Sequence, residues 1–131
     1  MKTRILLADD HGVVRKGLRF LLESEPDLEV VGEAADGNEA VEMAAKLDPN
    51  VVVMDIGMPR LNGIDATAQL VKAHPQAAVI ILSMHSDETY LVRTLGAGAK
   101  GYLLKDSAEE DLVRAIRSVS QGKPFFSPAV S

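Results

Sequence analysis

Apolar residues gather along the chain in five short runs, Arg4 to Ala8, Glu29 to Ala34, Val51 to Met54, Ala78 to Ser83 and Gly101 to Leu104. Each run has the length of a β-strand. Between them the period changes to that of amphipathic helices, with apolar positions at Val14, Leu18 and Leu21, at Ala40, Ala44 and Leu47, at Ile64, Ala68 and Val71, at Leu91 and Leu95, and at Leu112, Ile116 and Val119. Boundary residues agree with this division. Asn38 is placed to cap the second helix and Pro49 follows its end, Pro75 follows the third, and Ser107 with Glu110 has the spacing of a capping box before the fifth. The pattern predicts a (βα) unit repeated five times.

Strict alternation of strand and helix implies right-handed crossovers and a parallel sheet covered on both faces. Hydrophobicity then orders the strands. ILLA, VVVM and VIIL are apolar throughout, as strands buried on both faces must be, whereas EVVGEA carries charge and GYLL is short, which fits the edges. The expectation is an α/β fold with a five-stranded, doubly wound parallel sheet in the order 2-1-3-4-5. In such sheets ligands bind at the strand C-termini, at the switch between strands 1 and 3.

Composition narrows the possibilities further. With 131 residues the chain makes one domain of ordinary size, able to bury about two-thirds of its unfolded surface. It has no cysteine, which excludes disulfides, thiolate metal sites and thiol nucleophiles. Near the N-terminus only Ile5 to Ala8 are apolar before two acids, too short a stretch for a signal peptide or a membrane span, so the expectation is a soluble, cytoplasmic protein. The formal charge of −5, with basic residues scattered, argues against a nucleic-acid-gripping surface in these residues. The tail GKPFFSPAVS has linker chemistry, which suggests a domain over residues 1–121 and the start of a linker over 122–131.

The candidate chemistry sits at the predicted strand ends. The first strand runs into Asp9 and Asp10, the third into Asp55, the fourth into Ser83 and the fifth into Lys105. Three carboxylates meeting at the switch point would repel one another, and a divalent cation is the natural compensation. Mg²⁺ takes one or two carboxylates and leaves positions for phosphate oxygens. Lys105 adds a mobile positive charge and Ser83 a hydroxyl. A rigidly held Asp55 beside such a cation has the makings of a nucleophile toward phosphorus, forming an aspartyl phosphate. After it, Gly57 lets the loop backbone approach the metal, Pro59 fixes the turn and Gly63 permits a positive φ on the return to the third helix.

Together these residues carry a family resemblance. The Asp9-Asp10 pair, the D-x-x-M-P-x-x-x-G frame of Asp55, Met58, Pro59 and Gly63, then Ser83, and GYLLK ending in Lys105 resemble the receiver domain of two-component response regulators, a flavodoxin/CheY-like fold. DDH at Asp9 to His11, SMH at Ser83 to His85 and GAKGYLLKD resemble its NarL/FixJ (LuxR-type) subfamily. The resemblance covers all but the tail.

It implies that Asp55 accepts a phosphoryl group from a sensor histidine kinase, with Mg²⁺ held by Asp10, Asp55 and the Gly57 carbonyl and by Asp9 through water. Ser83 and Lys105 would contact the phosphoryl oxygens, and Tyr102 would be the switch aromatic. It implies a phosphoacceptor signalling domain rather than a metabolic enzyme, one that catalyses its own phosphorylation and dephosphorylation and forms a homodimer when phosphorylated. A helix-turn-helix domain beyond the linker would bring DNA binding and transcription regulation. Two positions depart from common receiver patterns. Asp106 follows Lys105 where many receivers have proline, and Ser83 lacks the methyl with which a threonine could couple to Tyr102.

Other readings compete. An acidic pair after a strand often caps a helix, a role open to Asp10 or His11. His11, His74 and His85 lack metal-ligand spacing and read as surface or capping residues. GAGAKG, with Gly96, Gly98 and Gly101, fits G-x-G-x-x-G but follows a helix and leads into a strand, the reverse of the dinucleotide-binding context. A haloacid dehalogenase-type phosphatase would want a second acid two residues after the nucleophile, and Gly57 stands there. A flavin site would want hydrogen-bond donors after the first strand, where this chain has two anions. A stand-alone receiver differs from a truncated regulator only in lacking an effector domain beyond the tail.

Overall fold

One parallel sheet organises the chain, and the computed structural model describes it over residues 1–127. In chain order the elements are β1 (Thr3–Ala8), α1 (Gly12–Glu23), β2 (Leu28–Ala34), α2 (Gly37–Leu47), β3 (Val51–Asp55), α3 (Gly63–Ala73), β4 (Ala78–Ser83), α4 (Glu88–Gly96), β5 (Gly101–Leu104), α5 (Ala108–Ser120) and β6 (Phe125–Phe126). The strand order is β2-β1-β3-β4-β5-β6. The expected doubly wound order 2-1-3-4-5 therefore holds, with one strand added at its end.

Alternation along the central strands divides the core into two layers. Ile5 and Leu7 of β1, Val51 and Val53 of β3, and Ile80 and Leu82 of β4 pack with Leu22 of α1 and with Leu112, Ala115 and Ile116 of α5. Their neighbours Leu6, Ala8, Val52, Met54, Val79 and Ile81 pack on the other face with Ala40 and Ala44 of α2 and Ala66 and Leu70 of α3. Side chains two apart along a strand share a face, so a strand apolar throughout needs helices on both sides.

Several sequence expectations need correction. Asp36, not Asn38, caps α2, its carboxylate accepting from the Glu39 amide at 2.9 Å. The capping box at Ser107 does not form, because its hydroxyl donates to the Leu104 carbonyl at 3.2 Å within a single 3₁₀ turn over Lys105–Ser107. On α1 the fully buried residue is Leu22, and Val14 is 42% exposed. On α3 the buried face runs through Ala66, Thr67 and Leu70, leaving Ala68 exposed. GYLL is not an edge, because β6 pairs with it, so the tail assigned to linker from residue 122 contributes a strand. The last four residues of that tail lie outside the described residues.

β2 contains the one irregularity that matters for the site. Ile5 pairs with Val30 but Leu6 pairs with Gly32, which leaves Val31 as an extra residue in the ladder. Leu28 and Val30 face the α1 and α5 layer, whereas Ala34 faces the α2 layer. The bulge thus turns Glu33 toward α1.

Candidate functional site

Parallel strands deliver their C-terminal residues to one rim of the sheet. Asp9 and Asp10 follow β1, Asp55 ends β3, Ser83 ends β4 and Lys105 follows β5. Asp9, Asp55 and Ser83 are buried, with exposures of 1%, 3% and 1%. The Lys105 ammonium reaches between the acids, 3.2 Å from Asp55 Oδ2 and 3.6 Å from Asp9 Oδ2. Asp55, Gly57, Ser83 and Lys105 line a cleft of about 150 Å³, together with His11 and His85.

Burial pushes the Asp55 pKa up, the neighbouring Asp9 charge adds to this, and Lys105 with the Gly57 amide opposes it only in part. Asp9 Oδ2 and Asp55 Oδ2 are both buried, with the Lys105 ammonium as an ion-pair partner and no other polar neighbour in hydrogen-bond geometry. Such carboxylate oxygens suit a cation. Ligand atoms of Asp9, Asp10, His11 and Asp55 all lie within 4.8 Å of one another. Three carboxylates beside a small cleft are a hard-oxygen donor set that fits Mg²⁺.

His11 belongs to this group although no spacing pointed to it. Its Nδ1 lies 3.1 Å from Asp9 Oδ1 and 3.2 Å from Asp10 Oδ1, and its amide donates to Asp9 Oδ1 at 2.8 Å. It occupies the N-cap position of α1 but makes no side-chain cap.

The β3–α3 loop is held by contacts different from those expected. Gly63 does not adopt a positive φ. It is required because a Cβ there would sit 2.0 Å from the Asp55 carbonyl oxygen. The left-handed residue is Arg60, at φ 67, and its guanidinium grips Asp36 at 2.8–2.9 Å. Gly37 meets the same loop closely, since a Cβ on it would lie 2.0 Å from the Leu61 carbonyl oxygen. Gly57 has open space around it, and its amide donates to Asp55 Oδ1 at 3.3 Å. Among the described residues no peptide bond is cis, that between Lys105 and Asp106 included.

Tyr102 stands apart from the cleft, fully buried beneath α4 in the second core layer. Its hydroxyl donates to the His85 carbonyl at 2.5 Å, while the His85 amide donates to Ser83 Oγ at 2.9 Å. His85 also stacks on Tyr90, with ring centroids 4.0 Å apart. Ser83 and Tyr102 therefore meet through the backbone of His85, a link that needs no methyl group.

The sequence reading missed the charged residues that support this rim: Arg15, Glu33, Asp36 and Arg60. Glu33, one of two glutamates in β2, is the one visible signal, and charge in that strand reads as the mark of an edge.

Comparison with known proteins settles the family. The model of the response regulator receiver domain matches residues 5–117. This chain belongs to that family. The transcriptional regulatory protein DegU of Brevibacillus brevis is 42% identical over 130 residues, which cover 99% of this chain and 55% of that protein. The crystal structure of a LuxR-family two-component response regulator from Aurantimonas superposes with a TM-score of 0.95 at 38% identity, covering 99% of this chain and 93% of that one. The isolated receiver domain of RcsB from Salmonella enterica serovar Typhimurium, solved with the phosphomimetic BeF3-, gives 0.90 at 30% identity, covering 99% and 96%. The receiver is of the NarL/LuxR type, and these relatives include transcriptional regulators. It spans little more than half the length of the curated relatives it matches. Among the described residues no helix is long and apolar enough to cross a membrane.

Proposed function

We propose that Asp55 is the phosphoacceptor of this receiver and that its phosphorylation changes how the domain pairs with partners. The observation that carries the reading is the trio of Asp9, Asp55 and Lys105 at the sheet rim, with two buried carboxylate oxygens facing one ammonium. Asp10, Asp55 and the Gly57 carbonyl would hold Mg²⁺, with Asp9 acting through a bound water. The cation supplies charge neutralisation to the incoming phosphoryl group.

In the transfer, an Asp55 carboxylate oxygen forms a bond to the phosphorus of a kinase phosphohistidine. The P–N bond breaks, and the ring nitrogen keeps the electron pair. Asp55 must be ionised to attack, and Lys105 at 3.2 Å favours that form against the effect of burial. Lys105 also lies within reach of the transferred phosphoryl oxygens. Ser83 can turn its hydroxyl hydrogen to them by giving up its long bond to the His85 carbonyl at 3.4 Å, the carbonyl to which Tyr102 also donates, which would carry the change to Tyr102. The phosphate thus acts as a local charge with a readout on the β4–α4 loop.

An apolar groove beside Lys105, lined by Val14, Leu18, Phe20 and Leu21 of α1 and Ala108 of α5, supports docking of a kinase next to the acceptor. Homodimerisation on phosphorylation, a DNA-binding helix-turn-helix domain joined through the tail, and a cytoplasmic location complete the reading.

The test is a small phosphodonor with Mg²⁺, followed by intact-mass spectrometry and sedimentation. One phosphoryl group should be added, lost in Asp55→Asn and under chelation, and the phosphorylated form should shift toward dimer. A phosphoryl group that persists on Asp55→Asn would refute the assignment.

A further inference from the structure

One half-buried charged contact reaches the backbone of the acidic pair without touching the cleft. Arg15 on α1 donates Nε to Glu33 Oε1 at 2.7 Å and one terminal nitrogen to the Asp9 carbonyl oxygen at 2.6 Å. Arg19, one turn further along α1, donates to the other Glu33 oxygen at 2.7 Å. The two arginines together hold the Glu33 pKa below its ordinary range, Arg19 more than Arg15. The Arg15 and Glu33 side chains are 19% and 18% exposed, so solvent screens this pair less than a surface pair.

Asp9 is thereby fixed from both sides. Its amide donates to the Ala34 carbonyl at 3.0 Å, and its carbonyl is bound by the arginine that Glu33 orients. Both anchors are consecutive residues of β2, and Glu33 faces α1 because of the extra residue Val31. Simple stabilisation of α1 against β2 would account for the Arg19 contact. It leaves the bond to the Asp9 carbonyl unexplained, because Glu33 is already held by Arg19. The need for a brace is electrostatic: Asp9 and Asp10 must stay aimed at Asp55 although like charges push them apart.

We propose that Arg15, oriented by Glu33, is a positioning residue for the cation site, fixing the Asp9 peptide so that both acids keep their aim. The inference rests on the Mg²⁺-dependent phosphoacceptor reading above. Groups that orient metal ligands from outside the coordination sphere are commonly worth about 10- to 100-fold in metal affinity.

The experiment is a Mg²⁺ titration of the chain followed by the Gly57 amide NMR shift, on wild type, Arg15→Met, Arg15→Lys and Arg19→Met. Arg15→Met should weaken Mg²⁺ about tenfold. Arg15→Lys should do nearly the same, because an ammonium lacks the fork that reaches Glu33 and Asp9 together. Arg19→Met removes the other half of the Glu33 pairing and should lower the melting temperature while leaving Mg²⁺ affinity unchanged. The phosphorylation rate at saturating Mg²⁺ should stay near wild type in Arg19→Met. Wild-type affinity in folded Arg15→Met and Arg15→Lys, or an equal loss in Arg19→Met, overturns the proposal. A wild-type chain that neither binds Mg²⁺ nor accepts a phosphoryl group would instead overturn the phosphoacceptor reading, and this inference with it.

Discussion

Asp55 is held in a state that works against folding. Burial and the Asp9 charge raise its folded pKa above the ordinary value of 3.8, so the native state binds a proton at Asp55 more readily than the unfolded chain does. Where the native state binds more protons, stability falls with rising pH. The penalty is therefore missing below pH 3.8, grows as pH climbs toward the folded pKa and is fully present above it. Asp55→Asn removes the charge and keeps the shape. At pH 7 it should melt several degrees above wild type, each kcal/mol being worth about 4 °C in a domain of this size. The gap should close on acidification toward the unfolded value, and added Mg²⁺ should narrow it by stabilising wild type. Thermal melts across pH check this, and a variant that melts lower at pH 7 contradicts it. The chemical residues were legible because a strand that ends in Asp, Ser or Lys announces its position. Their supports were not. Arg15 with Glu33 and Arg60 with Asp36 pair across 18 and 24 residues, and no local spacing reveals such a contact before the sheet order and the β2 bulge are known.

At the scale of elements, oily runs revealed the three central strands because burial on both faces demands unbroken hydrophobicity. Helix faces were harder. On α1 the apolar residues Val13, Val14, Leu18, Phe20, Leu21 and Leu22 spread over a broad arc, so periodicity does not by itself pick Leu22 as the buried one. At the start of α2 the sequence points to Asn38 as the cap, but Asp36 takes the role while also bonding Arg60. Gly63 suggests a positive φ from the sequence, yet its purpose is close approach. Gly63 leaves no room for a methyl group against the Asp55 carbonyl, and β3 cannot retreat without moving the acceptor. Gly63→Ala should therefore cost about 1–3 kcal/mol, the usual range for overpacking. Aspartyl phosphate formation should fall with it. Urea denaturation and the phosphodonor assay measure the two effects. Full activity in a variant of wild-type stability would mean that the loop yields without displacing Asp55.

For the molecule as a whole, the segment with linker composition proves to be part of the sheet. Two phenylalanines between a proline and a serine show no strand period, and the structure explains them by position: Phe125 packs against one core layer and Phe126 against the other. The Phe125 amide donates to the Lys100 carbonyl at 3.0 Å and the Ser127 amide to the Tyr102 carbonyl at 2.9 Å. β6 thus grips the strand that carries Tyr102, and anything attached through the tail is mechanically joined to the face that phosphorylation is proposed to alter. Removing residues 122–131 tests how much of the domain depends on this strand. Full burial of one such side chain is worth about 1.5–3 kcal/mol, and here two are half-buried. The shortened chain should lose at most about 1.5–3 kcal/mol of apolar burial, reduced by the entropy of ordering the tail that is returned. It should also expose the β5 edge and self-associate through it, because an uncovered strand invites pairing. Urea midpoints and sedimentation velocity read both consequences. An unchanged midpoint with a monomeric profile would show that β6 rides on the sheet without supporting it, and the mechanical link from Tyr102 to the tail would then lose its basis.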